Sequence, residues 1–216
     1  MLVSLKVAAT LDGKIATGSG VSKWITSPSS RQLVHRLRHE YQAILIGSET
    51  LLKDNPSLDT RGIQQGISPI KVILDGRGRM PIQAKCLRDA ESKTIWVVGR
   101  NAPEPNWEPP SNLTRLKSPG VHTEISWVLP QLEKLGIHSL LVEGGAKVHA
   151  SFLKSKLVDK IYLFLAPRIL GNEGLSWCGA LGIERLVDTL NFKIVRTEML
   201  NPDLLIELKP TERLND

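Results

Sequence analysis

The sequence predicts an α/β protein on a mainly parallel sheet with an antiparallel end. Short apolar runs alternate with amphipathic stretches of helical period, the pattern that strand–helix–strand units leave behind. A glycine pair, Gly144-Gly145, stands between an apolar run and one such stretch. Near the carboxyl end two strand-like segments follow each other directly, separated by Asn201-Pro202-Asp203, which marks a hairpin. No internal repeat or linker interrupts the chain, so residues 1–216 are expected to form a single domain.

The elements follow in order. Val3–Ala9 alternates apolar and polar residues and then turns apolar, as a strand entering a sheet does. Asp12-Gly13 is a turn, and Lys14–Ala16 resumes briefly before Gly18-Ser19-Gly20. Ser27-Pro28 opens a helix, with Ser at the N-cap and Pro at the first helical position, where no backbone N–H is needed. Leu33, Leu37 and Tyr41 are its expected buried stripe. Ala43–Gly47 reads as a strand, and a short helix from Ser48 must stop before Asn55-Pro56. Ile70–Leu74 and Thr94–Val98 are strands, and the proline-rich stretch 101–112 is a surface loop. Residues 125–135 suit a helix and Ser139–Val142 a buried strand, after which Gly144-Gly145 leads into a helix carrying Val148, Phe152 and Leu153. Ile161–Ala166 is a strand, and two more within 192–208 complete the hairpin.

Composition narrows the function. Hydrophobic residues at 41% and charged residues at 23% exclude low-complexity disorder and collagen. No apolar run approaches the ~18–20 residues of a membrane span, and the first residues lack the pattern of a signal peptide. Cys86 and Cys178 lie far apart, so neither a disulfide framework nor a CxxC metal knuckle is expected, and the compartment is read as reducing and cytoplasmic. A net charge of +6 attracts anions. The Lys and Arg residues are scattered and aromatics make up only 5%, which favours small phosphorylated ligands over nucleic acid or a membrane surface.

Three clusters carry candidate chemistry. In Leu140–Val148 a buried strand runs through Glu143 into the glycine pair and a helix start, where free N–H groups and close backbone approach suit a phosphate; a plain tight turn explains the glycines equally well. The full GxGxxG fingerprint and the Walker loop are absent. Gly76-Arg77-Gly78-Arg79 reads instead as a turn after a strand, with two arginines free to meet an anion. Around Ser22–Pro28, hydroxyls precede a helix whose Arg31, His35 and Arg38 share one basic face, the mark of a solvated surface or of a phosphate site. His35 and His39 have metal-like spacing but no third ligand is evident, so no metal is expected. In Thr50–Arg61, Asp54 opposes the helix dipole at a helix end, which hints at a task or simply a turn.

Taken together, LKVAATLDGKIA, SKWITSP, AILIGSETLLKDNPSL, KVILD, LLVEGG and LFLAPRILG resemble the reductase domain of the riboflavin-biosynthesis deaminase/reductase, within the dihydrofolate-reductase-like superfamily. The resemblance runs from Leu5 to about Leu208. It implies a three-layer α/β/α fold with a central mixed, mostly parallel sheet, a homodimer, and NADPH-dependent reduction of 5-amino-6-(5-phosphoribosylamino)uracil by hydride transfer to ribose C1′. It further implies that Ala8, Trp24, Thr50, Asp54 and Gly76 contact NADPH and that Gly144, Gly145, Ala146, Lys147, Val148, His149, Ala150 and Ser151 wrap its pyrophosphate. Ser22, Arg38, Leu58, Arg61 and Glu143 are the implied substrate contacts, with the two guanidiniums on the 5′-phosphate. Lys6, Asp54 and Glu143 are the candidates for catalysis, and Arg77, Arg79 and Arg100 for the 2′-phosphate of NADPH.

The chain lacks the P-C-x-x-C of a zinc deaminase, so deamination is expected from a separate protein or domain. Reduction of the related 2,5-diaminopyrimidinone phosphate, and a non-catalytic NADPH-binding module, remain the alternative readings.

Overall fold

A computed structural model describes residues 1–61 and 68–211. The described elements run β1 (Leu2–Thr10), β2 (Lys14–Ala16), α1 (Pro28–Glu40), β3 (Ala43–Gly47), α2 (Ser48–Asp54), β4 (Ile70–Leu74), β5 (Thr94–Val98), β6 (Leu113–Lys117), α3 (Ile125–Lys134), β7 (Ser139–Gly144), α4 (Ala146–Lys154), β8 (Lys160–Ala166), β9 (Leu175–Ser176), β10 (Phe192–Leu200) and β11 (Asp203–Pro210). This is an α/β fold with a mixed, mostly parallel sheet: β1/β8, β3/β4, β4/β5 and β5/β6 pair parallel, and β8/β11 and β10/β11 antiparallel.

The chain packs as two units, one of Met1 with His35–Leu141, the other of Leu2–Val34 with the chain from Val142 onward. In the first, β3, β4, β5 and β6 stand in that order. Strands β3 and β5 are buried along their whole length, as apolar strands covered on both faces must be. Ile44, Ile46, Leu51, Leu58, Ile73, Met80 and Trp96 belong to one core cluster. Burying each large side chain contributes about 1.5–3 kcal/mol. Lys71 is fully buried in β4, and its ammonium donates to the Cys86 carbonyl (3.2 Å) and Asp89 (3.3 Å).

In the second unit the order is β10, β11, β8, β1. Strand β1 meets β8 in a seven-residue register from Ser4↔Lys160 to Thr10↔Ala166. A separate two-stranded ladder joins β2 to β9. Helix α1 starts at Pro28 as expected, the Ser27 hydroxyl accepting the Ser30 N–H (3.3 Å). Buried Asp203, the first residue of β11, accepts from the Ser27 N–H (2.6 Å) and the Ser30 hydroxyl (2.5 Å), which fixes that helix start.

Several expectations need correction. The buried stripe of α1 is Val34, Leu37 and Tyr41, with Leu33 only half-buried. A period of 3.6 alternates steps of three and four, so equal steps of four drift off the face. Of the apolar residues expected on α4, Phe152 and Leu153 are buried, together with His149 and Ala150, while Val148 is half-buried. Strand β6, unexpected from sequence, is Leu-Thr-Arg-Leu-Lys at the end of the strand order and too polar to signal itself. The two-residue β9 is shorter than any sequence pattern resolves.

Candidate functional site

In the second unit, the alternation of β1 puts Leu5 and Val7 in the core and leaves Lys6 and Ala8 half-buried on the other face. Glu143 occupies the penultimate position of β7. Its Oε2 lies 3.9 Å from Lys6 Nζ, with both side chains largely shielded (8% and 15% exposed). Gly144 closes the strand at φ +108°, a conformation L side chains rarely adopt. A Cβ there would meet the His149 ring at 3.0 Å, so this glycine is required by the fold itself. Gly145, at φ −75°, is the N-cap of α4 and supplies no side-chain cap. The first N–H groups of α4, from Ala146 and Lys147, have no acceptor one turn back within the helix, and this donor set suits an anion such as a pyrophosphate. Lys147 is exposed, whereas His149 and Ala150 face the interior, so any wrapping of a ligand by this segment runs through the backbone of the first turn.

Ser22 and Trp24 line a cleft with Thr10, Thr17, Val21, Lys23, Ile25, Arg168 and Leu170. Trp24 is 62% exposed, an unusual state for the largest apolar side chain. The Arg31 guanidinium lies 4.4 Å from its ring centroid, and Arg168 donates to its carbonyl oxygen (2.9 Å). Asp12 latches the neighbouring turn by accepting from Thr10 Oγ1 (2.5 Å) and the Gly171 N–H (2.8 Å).

In the first unit, Arg38 and Arg61 gather on Asp59. Arg38 donates to its carbonyl (3.0 Å), and Arg61 pairs with its carboxylate (2.9 Å). His35 Nδ1 accepts the Arg61 backbone N–H at 3.2 Å. Burial, then the Arg38 charge, push the His35 pKa below its ordinary value. Thr50 and Asp54 lie on α2, which ends where Asn55 turns left-handed (φ 41°), at the stop expected from Asn55-Pro56. The Leu58 side chain is 2% exposed within the core cluster, so what this residue offers a ligand is its backbone, at φ +57°.

Gly76 begins a turn closed by Gly78 N–H donating to the Asp75 carbonyl (2.9 Å). Buried Asp75 accepts from the backbone N–H of Arg79 (2.5 Å) and Met80 (2.9 Å) and from the Trp96 indole (3.2 Å). Arg77 and Arg100 are exposed. Arg79 is not the free cation expected, because its guanidinium is held by Ser48 and Glu49 (both 2.8 Å). Its acidic partner, thirty positions earlier on α2, has no local signature in the sequence.

From the sequence, Arg31 is only part of a basic helix face, His149 only one residue of a run, and Arg168 only the arginine within LFLAPRILG. An arginine after a strand and an apolar helix with one histidine were the available signals, and both are common in structures without ligands.

A family model, the RibD C-terminal domain, matches residues 1–206. The riboflavin biosynthesis protein RibD of Aquifex aeolicus is 38% identical over 213 residues, covering 96% of this chain and 57% of that protein. The 2,5-diamino-6-ribosylamino-4(3H)-pyrimidinone 5′-phosphate reductase of Methanothermobacter thermautotrophicus is 32% identical over 209 residues, covering 95% of this chain and 96% of that protein. Among solved structures, the Thermotoga maritima diaminohydroxyphosphoribosylaminopyrimidine deaminase/5-amino-6-(5-phosphoribosylamino)uracil reductase superposes with a TM-score of 0.84 at 34% identity, over 97% of this chain and 56% of that one. The chain thus spans a little over half of these two longer relatives.

Proposed function

The chain belongs to the RibD C-terminal domain family of riboflavin-biosynthesis reductases, and on that premise we propose that it reduces 5-amino-6-(5-phosphoribosylamino)uracil to the ribitylamino compound with NADPH. Residues 1–216 act as one reductase domain in this reading, cytoplasmic and homodimeric, with deamination supplied by a separate protein or domain. When bound, NADPH supplies the hydride that ends on ribose C1′.

The observation that carries the reading is a largely shielded Lys6–Glu143 pair (3.9 Å) at the strand end that leads into the uncapped start of α4. Backbone N–H groups there hold the pyrophosphate, and Gly144 through Ser151 form the segment around it. Ala8 and Trp24 contact the nicotinamide end, and Thr50, Asp54 and Gly76 other parts of the cofactor. Exposed Arg77 and Arg100 remain the candidates for the 2′-phosphate. Arg38 and Arg61 bind the substrate 5′-phosphate, since a planar guanidinium grips two oxygens at once. Ser22 and the Leu58 backbone contribute to the same substrate. Glu143 accepts hydrogen bonds from ring N–H or sugar hydroxyl groups and so orients C1′. Lys6 holds a proton on Nζ that it can deliver to the substrate, and Asp54 is the other candidate for catalysis beside Glu143.

A second reading, reduction of the 2,5-diamino compound before deamination, is favoured by the likeness to the Methanothermobacter reductase over nearly its whole length. The deciding experiment supplies each pyrimidine separately with NADPH and follows its absorbance. We expect faster consumption with the phosphoribosylaminouracil. A faster reaction with the diamino substrate assigns the second reading. Tight NADPH binding without oxidation by either compound leaves only a binding module.

A further inference from the structure

His149 is a buried polar group for which the proposed chemistry has no separate task. It is 2% exposed and sits in the first turns of α4. Nδ1 is 2.9 Å from the Trp177 carbonyl, which can only accept, so Nδ1 carries the proton and donates. Nε2 is buried and makes no hydrogen bond among the described residues. The ring itself lies against Gly144, with Cε1 and Nε2 at 3.0 and 3.2 Å from the place a Cβ would take.

Trp177 belongs to a strap that begins at β9. The strap's Trp177 N–H donates to the Gly13 carbonyl (3.1 Å), and its Gly179 N–H donates to the carbonyl of Ala146, the first residue of α4 (3.0 Å). One side chain therefore touches both edges of the anion-binding corner, with its ring on the glycine turn and its N–H on the strap. Burial, opposed by the Trp177 carbonyl and reinforced by the Lys6 charge, pushes the imidazole pKa down to about 4 and keeps the ring neutral at neutral pH.

We propose that His149 is a positioning residue for the dinucleotide loop, its ring buttressing Gly144 and its Nδ1–H pinning the Trp177 strap, so that the first N–H groups of α4 are already aimed before the cofactor arrives. The inference deepens the assignment of the α4 start to the NADPH pyrophosphate and rests on it. It needs no contact between His149 and the cofactor. Preorganisation of this kind shows in affinity, because a loose loop must be ordered at the moment of binding.

The test separates ring from donor. His149→Phe keeps an aromatic ring on Gly144 and removes the N–H, whereas His149→Asn places an amide N–H where Nδ1 stood. NADPH dissociation constants are measured by calorimetry and melting temperatures by circular dichroism, on protein as purified, with kcat at saturating NADPH alongside. We expect His149→Phe to weaken NADPH binding about tenfold, the equivalent of one hydrogen bond, and His149→Asn, which keeps the donor but gives up the ring against Gly144, to weaken it by the smaller factor of about three. Saturating kcat should change less than affinity in both. A lower melting temperature with unchanged NADPH affinity in the Phe variant overturns the inference and leaves a purely structural histidine. So does an Asn variant as weak as Phe. Failure of the wild-type protein to bind NADPH overturns the underlying assignment instead.

Discussion

The corner where β7 meets α4 and the arginine cluster on Asp59 are both read as anion sites, yet they are built on opposite principles. At the corner the side chains are shielded: Lys6 and Glu143 are 15% and 8% exposed, and His149 is all but sealed. Position there is set by backbone, through a glycine at a φ that other residues rarely adopt and a helix start without a cap. Around Asp59 the charges are on side chains, one half-buried (Arg38) and one 65% exposed (Arg61), and Asp59 already occupies part of their hydrogen-bonding capacity. Shielded groups interact in a low local dielectric and hardly feel salt, whereas exposed ones are screened within about 10 Å at 0.1 M. The corner should therefore govern stability and cofactor affinity, and the arginine cluster should tune capture of substrate.

The largest expected effect breaks the corner at one of two adjacent glycines. Gly144→Val forces a β-branched side chain to φ +108° and into the His149 ring, and should cost about 3 kcal/mol or more from backbone strain and overpacking. Gly145 has φ −75°, which valine accepts, so Gly145→Val should stay within about 1 kcal/mol of wild type in urea denaturation. Its damage should fall on NADPH affinity, because the new side chain crowds the backbone we propose as the pyrophosphate site. Equal loss of stability in the two variants would erase the distinction between a glycine needed by the fold and one needed by the ligand.

Acid should sharpen the same contrast. The His149 pKa lies near 4 in the folded chain and near 6.5 when unfolded. Between these values the unfolded state binds more protons, so stability rises with pH across that window and is lost as pH falls from about 6.5 towards 4. Two to three pKa units correspond to on the order of 3 kcal/mol. Lys6 and Glu143 are the charged groups acting on the ring, and the carboxylates elsewhere titrate as well, so the measurement is a difference. His149→Phe should flatten the wild-type slope between pH 7 and pH 4.5, leaving the remaining titrations in place. Parallel slopes in the two proteins would mean that His149 is already protonated, or accessible, in the folded state.

The two regions also differ in what the sequence disclosed. The corner was legible because its parts are contiguous: an apolar run, Glu143, two glycines and an amphipathic helix state strand, turn and helix start in nine residues. What it concealed was which glycine serves the fold, since that depends on His149 turning inward, and the partner of its Nδ1, Trp177, lies 28 positions further along the chain. The strands of the core are legible by their apolar runs, β6 is not because an edge strand tolerates polar residues, and even steps of four along a 3.6-residue period point to Leu33 where Val34 is the buried residue. For the arginines the sequence supplied charge but not engagement. Arg38 and Arg61 share Asp59, and Arg79 is taken by Glu49, through pairings 2 to 30 residues apart that leave no periodic trace.

The smallest expected effect lies within the arginine cluster and tests its exposure gradient. Arg38 is half-buried and already aimed by its bond to the Asp59 carbonyl, so little side-chain freedom remains to be lost when a phosphate binds. Arg61 projects into solvent and must be ordered, and its pair with Asp59 competes with the ligand. Arg38→Ala should therefore weaken substrate binding by roughly ten- to thirtyfold, in the range of one charged hydrogen bond. Arg61→Ala should cost only about threefold, as exposed ion pairs do. NADPH affinity should be unchanged in both. Raising salt from 50 to 300 mM should shrink the Arg61 effect towards nothing while most of the Arg38 effect persists. If Arg61→Ala proves the more damaging, phosphate binding displaces Asp59 and rebuilds the cluster, and the resting geometry is then not the one that captures substrate.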